Sequence, residues 1–109
     1  MKVTTNHPKG YVVLRDRVNR GAARASNDAM FARGSIRNIT PSDVDRASEA
    51  LAMAMILRVV HITGPEDAPV ETEIEPTQAW FDELDDADWK AIERECLKIR
   101  DACRDEAKK

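Results

Sequence analysis

Four sets of side chains in this 109-residue chain have types and spacings that could do chemistry. The first is Asp85-Asp86-Ala87-Asp88, a run of carboxylates that could hold a cation. It lacks the glycine and the closing glutamate of a calcium loop. Carboxylates in the first turn of a helix explain it better, with Asp85 as cap and Asp88 three residues on. The second is Cys96 and Cys103, seven apart. On one helix that is two turns, about 10 Å of rise, too far to bridge. No His/Cys pattern around them completes a zinc site, and they read as small core residues. The third is His7 and His61, neither with a Cys, Ser or Glu at motif spacing; His61 suits the negative end of a helix. The fourth is Arg17, Arg20 and Arg24 on one helical face with Arg15 close by. Such a stripe could bind phosphates, or pair with the acidic segment of this or a neighbouring copy. No phosphate loop, nucleophile elbow or Ser/His/Asp set is present, so the expectation is no enzyme, no cofactor and no metal.

Binding is the chemistry that remains. Residues 64–89 carry ten acidic side chains and no Lys or Arg, and they end among aromatic and aliphatic residues. Trp80, Phe81, Leu84 and Trp89 read as core anchors that can also offer a partner an apolar patch. Charge is uneven along the chain. Residues 1–62 hold ten basic and five acidic side chains, whereas 63–109 hold seven basic and fifteen acidic. The asymmetry predicts attraction between the halves, within a chain or between copies, and hence a homo-oligomer.

The elements that position these residues follow from periodicity. Residues 1–109 read as one helical domain, with residues 1–14 a strand or tail. Tyr11-Val12-Val13-Leu14 favours a strand, which residues 2–5 can pair with in a small hairpin. A first helix is expected from Arg15 or Arg17 to Arg33, closed by Gly34, with an Ala-rich seam at Val18, Ala22, Ala25, Ala29 and Ala32. Thr40-Pro41-Ser42-Asp43 is a helix start, and the apolar run that follows predicts a central helix to Val60 or His61. Residues 63–76, with three prolines, read as an acidic linker. A helical turn is expected over Thr77 to Glu83, and a last helix from Asp85 or Asp86 to Ala107 with a seam at Trp89, Ile92, Cys96, Ile99 and Cys103. The predicted fold class is mainly α: a small three- to four-helix bundle with a short N-terminal β strand or hairpin. No apolar h-region opens the chain and no run is long enough to span a bilayer, so no membrane role is expected.

Three segments resemble a known family. Gly10-Tyr11-Val12-Val13-Leu14-Arg15-Asp16 is similar to an opening strand ending in Leu-Arg-Asp. Leu51 to Val60 is an Ala/Leu/Met-rich helix before a proline-containing acidic loop. Phe81 to Ile92 looks like a closing pattern of Leu, acidic helix start, aromatic residue and final helix. Together they resemble the tail assembly chaperones of long-tailed, siphovirus-like phages. A Trp often found at the end of that family's second helix is replaced here by His61-Ile62.

The resemblance implies a non-enzymatic protein of the host cytoplasm, absent from the mature virion. It would bind the tape measure protein and tail tube subunits and self-associate during tail morphogenesis. Arg15, Arg17, Arg20, Arg24, Trp80, Phe81, Leu84 and Trp89 are the candidate partner-binding residues. The alternatives are a structural head–tail component of the virion, or a small nucleic-acid-binding or host-directed regulator. Nucleic acid is disfavoured because the arginine stripe is short, lacks interleaved aromatics and belongs to an acidic chain.

Overall fold

In the computed structural model, which describes residues 1–32 and 38–107, four helices accompany a four-stranded sheet. Strands β1 (Lys2–Asn6) and β2 (Lys9–Leu14) form a hairpin, followed by helices α1 (Arg20–Met30) and α2 (Pro41–Met55). Strands β3 (Ile56–Thr63) and β4 (Val70–Ile74) form a second hairpin, followed by the short α3 (Gln78–Asp82) and the long α4 (Asp86–Ala107). The four strands make one antiparallel sheet in the order β1-β2-β3-β4, so α1 and α2 are an excursion between two neighbouring strands.

The mainly α expectation is therefore wrong: the fold is α/β. Two segments account for it. The second helix stops at Met55, and Ile56-Leu57-Arg58-Val59-Val60-His61-Ile62-Thr63 is β3. An apolar run with residues on every helical face is also a buried strand, and periodicity does not separate the two. The β-branched Ile56, Val59, Val60 and Ile62 decide it, because their stiff side chains pack well on a pleated surface. The supposed acidic linker then has a partner. Gly64, at φ 90°, turns the chain, and Val70–Ile74 pairs with β3 from Thr63↔Val70 to Val59↔Ile74. Glutamates alternate there with Val70, Thr72 and Ile74, a period-two pattern.

Elsewhere the local chemistry acts as its residue types require. Thr40 accepts from the Asp43 amide while the Asp43 carboxylate accepts from the Thr40 amide, a complete capping box with Pro41 in the first turn. Asn19 caps α1, so that helix begins at Arg20, and Arg15 and Arg17 precede it. Thr77 caps α3. Helix α1 ends at Met30 with Phe31 as its C-cap, short of the expected Arg33, and Arg33 and Gly34 themselves lie outside the described residues.

The core lies between one face of the sheet and the helices. Val3, Val12 and Val59 stand side by side across three strands, and Ile74 completes the row. Leu51, Ala52 and Met55 of α2 and Ile92, Cys96 and Ile99 of α4 pack into the same cluster with Leu14 and Trp80. The α4 seam therefore faces the sheet. At the β2–β3 end, Val13 opposes Arg58 and Leu14 opposes Ile56, which leaves Leu57 as the extra residue of a bulge and 49% exposed. Gly10 lies so close to β3 that a Cβ would stand 2.0 Å from the Val60 carbonyl oxygen.

Candidate partner-binding surfaces

The four arginines of the sequence stripe have separate fates. Arg15 is half-buried. Its amide donates to the Met55 carbonyl at 2.9 Å and its Nε to the Ala54 carbonyl at 3.2 Å. It thus closes the C-terminal end of α2, whose own last turn holds no basic residue, and a cation there meets the negative end of the helix dipole. Arg17 pairs with Glu106 of α4 at 2.6 Å, and that carboxylate raises the guanidinium pKa through hydrogen bond and charge. Arg20 and Arg24 are exposed on α1 and make no ion pair among the described residues. Among the described residues none of the four pairs with the acidic 64–76 segment, whose one ion pair there is Arg58 with Glu73 at 3.2 Å.

The aromatic candidates stay together and turn inward. Trp80 is 7% exposed and belongs to the core. Phe81, Leu84 and Trp89 pack against that core while half-exposed, and Phe81 meets Trp89 edge-on at 5.0 Å and 71°. Trp80 Nε1 is buried with no hydrogen-bond partner among the described residues, as is His61 Nε2. His61 lies in mid-strand, opposite Gly10 and Thr72, rather than at a helix end.

The acidic run around residue 88 has a structural use the sequence did not reveal. Asp85 begins α4: its carbonyl accepts from Trp89 and its carboxylate from the Ala87 amide at 3.3 Å. Asp88 does not complete that cap. It is 2% exposed, and its carboxylate accepts the main-chain amides of Asn6, at 3.0 and 3.1 Å, and His7, at 2.8 Å. The Asp85 amide donates back to the His7 carbonyl at 3.2 Å. The start of α4 and the β1–β2 turn, which contains the cis His7–Pro8 bond, therefore clasp each other. Among the described residues no group of three or more His, Cys, Asp or Glu is placed to hold a metal ion.

Two clefts flank the helical hairpin. One, of about 280 Å³, lies between α1, α2 and the C-terminal half of α4. Val18, Ala23, Leu51 and Cys103 give it apolar walls, and Ser26, Asn27, Arg100 and Arg104 polar ones. The other, of about 350 Å³, lies between α1, α2 and α3 and includes Met53, Phe81, Arg46 and Glu49. Burial raises the Glu49 pKa, and the charges of Asp45, Asp82 and Glu93 raise it further. The first cleft draws on both predicted seams, through Val18 and Cys103. Seam spacing identified those residues but not that the helices stand apart there. Of the small residues of α1, Ala23 lines the cleft, whereas Ala22 is buried in the core.

No described helix is long and apolar enough to cross a membrane. The chain matches no protein-family model, and no curated protein or solved structure is significantly similar to it.

Proposed function

We propose that the chain is a non-enzymatic tail assembly chaperone of a long-tailed phage. It shields the tape measure protein, brings tail tube subunits to it, self-associates, and works in the host cytoplasm without entering the mature virion. The observation that carries this reading is the open cleft between the α1–α2 hairpin and α4. Its apolar walls and polar Arg100 and Arg104 fit one apolar stripe of an amphipathic helix with acidic flanks. A tape measure protein presents such helical stripes before the tube encloses it. The opening and closing segments of the sequence resemblance support the same reading, whereas the middle one was read as a helix to Val60 and that helix ends at Met55.

The aromatic group takes a supporting role in it. Trp80 is core, and only the exposed parts of Phe81, Leu84 and Trp89 could touch a partner. The arginines are no longer one surface either. Arg20 and Arg24 remain for contacts with a partner or a second copy, which speaks against a phosphate-binding stripe.

The test is titration of the chain with a purified helical fragment of the tape measure protein from the same genome, alongside light scattering of the free chain. Binding is expected, and Ala23→Phe, which fills the cleft, should weaken it at least about ten-fold, a loss of about 1.4 kcal/mol. A chain that stays monomeric at every concentration and binds no such fragment would sink the reading.

A further inference from the structure

The two edges of the sheet are unlike. At β1 the amides of Asn6 and His7 are held by Asp88, and α4 lies against the strand. Strand β4 pairs with β3 on one side and forms the other edge. Residues 70–73 are all exposed, Val70 at 55%, and Ile74 is half-exposed, so the helical layer stops short of this strand. An edge strand presents a row of main-chain donors and acceptors, and proteins usually blunt it with charged side chains, Lys above all, with Pro, a bulge, short length or a covering element; here the charges are Glu71 and Glu73. The Val70–Ile74 segment has no Lys or Pro, and its register with β3 is regular.

Its side chains alternate. Glu73 lies opposite Val60, and Glu71 opposite Ile62, on the face of the sheet away from the helices; Val70, Thr72 and Ile74 share the other face with Val59. Arg58 meets Glu73, whereas Glu71 and Glu75 have no ion pair among the described residues. We propose that β4 is the docking edge for a basic, extended segment of another protein, which adds to the sheet as a fifth strand. Lys or Arg of the segment stand beside Glu71 and Glu73, and β-branched residues between them stand beside Val70, Thr72 and Ile74. Charge selects this occupant. The β4 of a second copy would bring its own glutamates against these, and like charges directly opposed are destabilising. The β1 of a second copy is engaged by Asp88 at its Asn6 end, and α4 lies against that strand. This inference does not rest on the tail-assembly reading.

The experiment uses the full, isotope-labelled chain, titrated with the capped heptapeptide Thr-Lys-Val-Lys-Val-Lys-Thr and followed by amide NMR shifts. A fully N-methylated analogue keeps the charge but cannot donate to an edge. The expected result is a shift map centred on residues 70–74. Affinity should fall at least about ten-fold in E71K/E73K and partly in E71Q/E73Q, and disappear for the N-methylated peptide. If E71K/E73K is unfolded by circular dichroism, the Gln variant carries the comparison. Equal binding of the N-methylated analogue, shifts away from β4, or no binding at millimolar peptide would overturn the proposal. So would a concentration-dependent dimer of the free chain that E71K/E73K abolishes, since that assigns the edge to a second copy.

Discussion

The main-chain amide of His7 donates to Asp88 at 2.8 Å, across 81 residues of sequence, and this contact fixes the first hairpin to the last helix. The carboxylate also serves Asn6, so one buried anion accepts from two amides at the turn end of the first hairpin. Removing it leaves both part-buried amides without their acceptor. Asp88→Ala should therefore cost about 3 kcal/mol of stability in urea unfolding, and Asp88→Asn roughly half that, since an amide oxygen can keep one bond. Equal stability of all three chains would show that water replaces the carboxylate freely.

Gly10 is required by proximity rather than by dihedral freedom. A methyl group there would overlap the Val60 carbonyl at 2.0 Å, and backbone cannot swing away as a side chain can. Gly10→Ala should destabilise the chain by about 3 kcal/mol or break the β2–β3 register. Hydrogen exchange resolves the two, because a lost register exposes the Val59 and Val60 amides while helix α4 keeps its protection.

The two thiols should differ sharply in reactivity. Cys96 is 1% exposed, and burial, with help from Glu93 and Glu95, pushes its pKa up to about 12. Cys103 borders the first cleft and is half-buried. Native chain treated with iodoacetamide at pH 8 should take up label at Cys103, and label Cys96 only on unfolding. The same shift carries a stability consequence. Because the folded value lies above the ordinary 9.0, the unfolded chain alone ionises between pH 9 and about 12, and stability should fall through that window.

Glu49 predicts a pH effect at the acid end. Its pKa is raised, chiefly by burial and then by Asp45, Asp82 and Glu93, so the folded state holds this proton more tightly than the unfolded state. That contribution is complete below the ordinary value of 4.5 and is lost as pH rises through the folded pKa. Glu49→Gln should thus gain stability at pH 7, by a few tenths of a kcal/mol at this partly exposed site, and lose the advantage below about pH 4. Thermal melts of both chains across that range provide the check.

Signals confined to a few adjacent residues were legible in the sequence. Thr40, Pro41 and Asp43 specify a helix start with no help from tertiary structure, and the last helix was readable from Asp86 to Ala107 by its seam. The first hairpin was readable from Tyr11-Val12-Val13-Leu14 and its preceding turn. What failed was the second hairpin, because its strands depend on each other. Ile56–Thr63 alone fits a helix, and Val70–Ile74 alone is too acidic to suggest a strand; only their pairing selects β. At the candidate sites, periodicity grouped the arginines by angle but could not foresee that Arg15 and Arg17 precede the helix and are taken by α2 and α4. Asp88 looked like helix-start chemistry, and its contact with His7 had no local signature at all.

Met55 ends a helix and Ile56 begins a strand, with no residue between them to act as a joint. The helical hairpin is therefore joined to the sheet at this root with no intervening loop. A torque applied to α2 by anything gripping the cleft would pass straight into the central strand, and from there to the neighbour on each side. A ligand held at one end of this chain and the strand row at the other are mechanically in series.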